Sequence, residues 1–129
     1  MPLILVVDDV ALAREAVARL LEFEGFKTVR AANGREAYAT LYSQKPDLVL
    51  LDLMMPELDG ITLLRMIRKH PQWESIPIIV LTGLPDENKL IARARELGVK
   101  DIVPKATFGF EDLLRRIRKT VGDSHTNGN

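Results

Sequence analysis

Three short runs of the chain are apolar at every position: Leu3–Val7, Leu48–Leu51 and Ile78–Leu81. Each is bounded by polar or turn-forming residues. A strand with no polar face must be covered on both sides, as strands of a parallel sheet are. Two further segments, Thr28–Ala31 and Asp101–Val103, carry fewer apolar residues and read as edge strands.

Between these runs the apolar spacing changes to that of a helix. Ala13, Ala16, Val17, Leu20 and Leu21 form one stripe, with Gly25 as its stop. Asn33 followed by Glu36 is a capping pair for a helix running to about Gln44. A third helix is expected over roughly Leu58–His70, ending at Pro71. A fourth follows Pro85 and carries Leu90, Ala94 and Leu97, with Gly98 just beyond. The last carries Phe110, Leu113, Leu114, Ile117 and Val121.

Strand and helix thus alternate five times. Such connections must cross over, so the chain is expected to be α/β, a doubly wound five-stranded parallel sheet with helices on both faces. The order 2-1-3-4-5, the flavodoxin-like (βα)5 arrangement, puts the three richest strands at the centre. One domain is expected over residues 1–121. Residues 122–129 are small and polar and are expected to be a disordered tail.

Composition narrows the function classes. The 129 residues hold 18 Lys+Arg against 18 Asp+Glu, a formal net charge of zero, which offers no general attraction to nucleic acid or to an anionic membrane. Cysteine is absent, which excludes disulfides, thiolate metal sites and cysteine nucleophiles. The N-terminal apolar run is too short, and too acidic at its end, for a signal peptide. No stretch is long enough to span a bilayer, and a cytoplasmic location is expected.

In a doubly wound sheet the ligand site lies beyond the carboxyl ends of the strands. There the first strand ends in Asp8-Asp9, the third in Asp52 and the fourth in Thr82, and Lys105 follows the fifth. With the first strand beside the third, three carboxylates converge, and each has its pKa raised unless positive charge sits among them. A hard divalent cation with oxygen ligands is the natural compensation. A carboxylate can accept a phosphoryl group, and the cation and an ammonium then neutralise its charge. A single Asp after a strand ordinarily means nothing. Asp-Asp, Asp, Thr and Lys at four strand ends make that bland reading the weaker one.

The same residues resemble the receiver domain of two-component response regulators. Leu5-Val6-Val7-Asp8-Asp9 is similar to the family's acidic-pair strand, and Asp52 through Gly60 to its phosphorylation-site loop. Val80-Leu81-Thr82-Gly83 resembles the Thr/Ser strand end, and Val103-Pro104-Lys105 the lysine site. The resemblance implies a single-domain regulator, not an enzyme, in which Asp52 accepts the phosphoryl group. It implies that Asp9 and Asp52 ligate Mg2+ directly, Asp8 through water and Met54 by its backbone carbonyl. Thr82 would hydrogen-bond the phosphoryl group and Lys105 would pair with it. The implied donor is a phosphohistidine on a sensor histidine kinase or phosphotransfer protein. Output is implied through a protein partner at the helix 4–strand 5–helix 5 face.

The chain departs from the family pattern in places. Ala106 stands where the family has proline; a cis bond there would cost roughly 3 kcal/mol, so a trans loop is expected. Ile102 occupies the position of the aromatic that rotates with the Thr, and Phe108 sits one residue beyond the family's usual Phe. A constitutive scaffold is the alternative these changes favour. An acid-pocket phosphatase would need a second acid two residues after Asp52, where Met54 stands. Met54 and Leu84 flank the expected phosphoryl group and are expected to slow its hydrolysis. Val10-Ala11-Leu12 stand where a glycine-rich turn would follow the first strand, which argues against flavin-binding and dinucleotide-binding readings. His70 and His125 are expected at the surface, Trp73 in packing remote from the acids. Arg115, Arg116, Arg118 and Lys119 are expected to form a solvated face, with partner binding as the alternative.

Overall fold

A computed structural model describes residues 1–55, 58–105 and 109–122. The elements are β1 (Leu3–Val7), α1 (Ala11–Phe23), β2 (Lys27–Ala31), α2 (Gly34–Ser43), β3 (Leu48–Leu51), α3 (Gly60–Lys69), β4 (Ile78–Thr82), α4 (Lys89–Glu96), β5 (Asp101–Pro104) and α5 (Phe110–Val121). All strand pairs are parallel and the order is β2-β1-β3-β4-β5, as the alternating pattern predicts.

The apolar runs are explained by two cores, one on each face. Leu5, Val7, Val49, Leu51, Ile78 and Val80 point to the side covered by α2, α3 and α4, where Leu41, Leu63, Leu64, Ile67 and Ile91 meet them. Ile4, Val6, Leu48, Leu50, Ile79 and Leu81 point to the other, against Val17 and Leu21 of α1 and Leu113 and Ile117 of α5. Alternate residues leave for opposite sides, so a strand buried twice over has no polar position. The edge strands are less covered: β2 has one fully buried residue, Ala31, and β5 one, Val103.

The helix starts follow local chemistry. Asn33 accepts a hydrogen bond from the Glu36 amide at 2.8 Å, and the Glu36 carboxylate accepts one from the Ala32 amide at 2.8 Å. This is a capping box displaced by one residue on its return arm. α3 begins at Gly60, two residues later than the apolar pattern suggests, because Asp59 turns its side chain to accept from the Thr62 amide at 2.9 Å and so sits outside the helix. Gly25 and Gly98 stand just past α1 and α4 at φ 97° and 75°, the left-handed backbone that ends a helix.

Trp73 is buried in the core with three rings against it: His70 stacks on it at a centroid distance of 3.8 Å, while Tyr38 and Tyr42 meet it edge-on. The expected packing role of Trp73 holds, whereas His70 is half-buried in the cluster and not a free surface group. On α5 Arg115 and Lys119 are exposed, as expected of a solvated face, while Arg116 and Arg118 are half-buried in ion pairs. Arg116 pairs with Asp101 at 2.8 Å and Asp112 at 3.1 Å, Arg118 with Glu24 of the α1 end at 3.0 Å, and Arg115 with Asp112. Only the tertiary fold brings Asp101 and Glu24 to these arginines. His125 lies outside the described residues, as do the tail from 123 onward, Ala106 and Phe108.

Arg68 closes the opposite end of the fold from the acids. Its guanidinium donates to the carbonyls of Leu97 (2.9 Å), Gly98 (3.1 Å), Glu74 (3.0 Å) and Ile76 (3.0 Å), tying α3 to the end of α4 and to the approach to β4. Arg68→Ala leaves four carbonyls without that donor and is expected to cost about 2–3 kcal/mol in a denaturant titration. Arg68→Lys, which lacks the fork, recovers only part of it. Among the described residues no helix is long and apolar enough to cross a membrane.

Candidate functional site

The end of β1 lies level with the end of β3. Val7 pairs with Leu51, and the ladder continues one step further through the Asp52 amide donating to the Val7 carbonyl at 3.0 Å. The next side chains out, Asp8 and Asp52, are therefore neighbours at one rim. Both are buried, at 5% and 6% exposure, and Asp9 beside them is exposed. One carboxylate oxygen from each of the three lies within 4.8 Å of the others. Thr82 ends β4 with 1% exposure. Pairing of Thr82 with Pro104 brings Lys105 alongside, its amide donating to the Thr82 carbonyl at 2.7 Å. All five residues singled out by the sequence thus meet at one rim.

The Lys105 ammonium reaches across β4 to the acids, 2.8 Å from Asp8 Oδ2 and 3.4 Å from Asp52 Oδ2. Burial works against its charge. The hydrogen bond to Asp8 and the fields of Asp52 and Asp8 outweigh that and hold its pKa above the ordinary lysine range. Burial is also the main influence on Asp52, and it pushes the carboxyl above its ordinary value. Lys105 and the Met54 amide pull it down, and Asp8 pushes it up again. Asp8 is oriented by the Val10 amide, which donates to its Oδ1 at 2.9 Å. Arg14, in the first turn of α1, donates back to the Asp8 carbonyl at 3.0 Å, a contact that the sequence pattern did not single out.

The loop after Asp52 is held close. The Met54 amide donates to Asp52 Oδ1 at 3.3 Å. Leu53 and Met55 are buried, while Met54 is 56% exposed. Gly60 packs on the loop's first residues: its amide donates to the Leu53 carbonyl at 3.1 Å, and a Cβ there would lie 2.5 Å from the Asp52 carbonyl oxygen. Across the rim, the Leu84 amide donates to Thr82 Oγ1 at 3.1 Å. That occupies the hydroxyl as an acceptor and leaves its hydrogen to donate elsewhere. The half-buried Leu84 side chain packs on the core. Ile102 does the same from β5, in keeping with a position that lacks an aromatic ring.

Chemically, the rim combines a nucleophilic carboxylate, an all-oxygen acidic cluster suited to a hard divalent cation, a hydroxyl donor and an ammonium. Comparison with known proteins agrees. The response regulator receiver domain family matches residues 4–118. The chain is 41% identical over 115 residues to the response regulator MprA of Mycolicibacterium vanbaalenii, which covers 89% of this chain and 48% of that protein. It is 38% identical over 118 residues to the phosphate regulon transcriptional regulatory protein PhoB of Pseudomonas aeruginosa, covering 92% of this chain and 51% of that one. It therefore spans about half the length of these curated relatives. Among solved structures, the response regulator TrrA of Thermotoga maritima, in complex with Mg2+-BeF, superposes with a TM-score of 0.80 at 32% identity, covering 93% of this chain and 99% of that one.

The chain belongs to the response regulator receiver domain family. Receiver domains are the phospho-accepting signalling modules of two-component systems. They bind Mg2+ at an acidic pocket and interact with histidine kinases or phosphotransfer proteins.

Proposed function

We propose that Asp52 of this chain accepts a phosphoryl group from a phosphohistidine, with Mg2+ held at the rim, and that the phosphorylated form binds a protein partner. The observation that carries this reading is the Lys105 ammonium lying between two buried carboxylates, 2.8 Å from Asp8 and 3.4 Å from Asp52. In the transfer, an Asp52 oxygen forms a bond to phosphorus as the phosphorus–nitrogen bond of the donor breaks and its electron pair returns to the imidazole. Lys105 follows the charge onto the new acyl phosphate, and Thr82 donates its free hydroxyl hydrogen to a phosphoryl oxygen.

The three clustered carboxylates fit a hard cation: Asp9 and Asp52 would ligate it directly, Asp8 through water, and Met54 by its backbone carbonyl. When bound, Mg2+ would neutralise charge on the transferring group. The Mg2+-BeF complex of TrrA supports the same pairing of metal and phosphoryl chemistry here. Apolar Met54 and Leu84 beside the acyl phosphate would slow attack by water.

We place output at the face formed by α4, β5 and α5, and the action of residues 4–118 in the cytoplasm as a signalling domain and not as an enzyme. The zero net charge offers no general route to nucleic acid. Incubation with Mg2+ and a small acyl phosphate is expected to add one phosphoryl group by intact mass, and a chelator in excess is expected to suppress it. Equal labelling with the chelator present would reject the metal-dependent reading.

A further inference from the structure

Gly34 opens α2, a helix that contributes none of the side chains at the acidic rim. Its amide donates to the Leu58 carbonyl at 3.1 Å, so the start of α2 lies against the far limb of the loop that follows Asp52. A Cβ at position 34 would fall well inside contact distance of the Leu58 carbonyl oxygen and 2.9 Å from both the carbonyl carbon and Cβ of Leu58. The obstructing atoms belong mostly to backbone, so no rotamer change makes room. Either α2 or the loop must move.

The packing decides which. α2 is anchored by Ala37 at 0% and Leu41 at 2% exposure and by the Asn33 cap, whereas Leu58, the residue it meets, is only partly buried. The loop gives. At its other end Gly60 already sits against the backbone of Asp52 and Leu53, so a push at Leu58 is carried toward Met54 and Asp52.

We infer that Gly34 is a positioning residue for the phosphoacceptor loop: the missing side chain at the start of α2 sets where the Met54 carbonyl and the Asp52 carboxylate stand. The inference rests on the Asp52–Mg2+ reading above. Gly83 supplies the contrast. It is adjacent to Thr82 at the rim, yet a Cβ there would meet nothing within 4 Å. Proximity to the site alone would make Gly83→Ala the more harmful change, and the geometry says the reverse.

The test compares wild type, Gly34→Ala and Gly83→Ala well below their melting temperatures. Mg2+ affinity is measured by calorimetry, labelling rate with a small acyl phosphate, and the amide NMR shifts of Met54, Leu58 and Gly60 without metal. Gly34→Ala is expected to lose roughly tenfold or more in Mg2+ affinity and labelling rate, since ångström-scale misplacement of a reacting group costs up to about 10²-fold. The three amides should shift, and Gly83→Ala should match wild type. A Gly34→Ala protein with a lower melting temperature but unchanged Mg2+ affinity and loop shifts would overturn the inference, because it would show a structural role only. Should Gly34→Ala not fold, Leu58→Gly removes Cβ, the one side-chain atom of Leu58 that meets position 34, without adding an atom. It must then show the loss of Mg2+ affinity, and wild-type affinity in it would overturn the inference. Failure of wild type itself to bind Mg2+ or take label would instead sink the reading on which the inference rests.

Discussion

Asp52→Asn is expected to abolish labelling by acyl phosphate while leaving a folded and more stable protein. An amide has no anionic oxygen to form the bond to phosphorus, and loss of a nucleophile costs roughly 10³-fold or more, so intact mass should show no phosphoryl addition on the wild-type timescale. Labelling that persisted in the variant would move the acceptor elsewhere. The stability change has a definite sign. Burial, the main influence on Asp52, raises its pKa in the fold above the ordinary carboxyl value. Its stabilising contribution is therefore fully present below that ordinary value and is lost as pH rises through the folded one; above it, the ionised group works against folding. Asn, neutral at every pH, removes that penalty. Denaturant titrations should find Asp52→Asn more stable than wild type at neutral pH, with the gap closing on acidification.

Lys105→Met should destabilise the fold without ligand in a way that depends on both pH and Mg2+. It keeps most of the aliphatic stem but leaves Asp8 and Asp52, both nearly buried, with no ammonium between them. Removing one member of a buried charge group strands the others; with the lysine side chain itself 27% exposed, the expected loss is about 2 kcal/mol at neutral pH. Two features separate this from general damage. Acidification should restore much of the loss, because protonating one carboxylate ends the repulsion. Mg2+ should stabilise Lys105→Met more than wild type, because the added cation meets two uncompensated acids. A loss indifferent to both pH and Mg2+ would show that the ammonium does not serve the acidic pair. In wild type the elevated lysine pKa means that this stabilisation persists below the ordinary lysine value and fades as pH rises through the folded one.

What could be read from the chain depended on range. The central strands were legible because complete burial leaves a run of apolar residues with no interruption, and the helices because Leu113, Leu114 and Ile117 recur at helical spacing. The acids were legible because each terminates a strand, and the rule that parallel strands share one carboxyl edge did the rest. Contacts between remote segments left no trace. Nothing near Arg116 or Arg118 in sequence announces Asp101 or Glu24 as partners, so both read as solvated. The four carbonyls gathered by Arg68 and the meeting of Gly34 with Leu58 depend on backbone positions, which no side-chain pattern encodes. His70 failed for a related reason: its stack on Trp73 closes a turn whose path the sequence did not fix.

Burial on both faces has a consequence for how the chain finds its pairing. A strand such as Leu48-Val49-Leu50-Leu51 is equally greasy on either side, so hydrophobicity alone cannot tell one frame from the next when it slides along β1. Asp47, whose carboxylate accepts from the Leu3 amide at 2.7 Å, and Asp52 bracket it, and a displacement by one step would drag a charge toward the dry interior. The acids at the rim thus also work as end-stops, and the residue offered to phosphorus helps dictate the alignment that presents it.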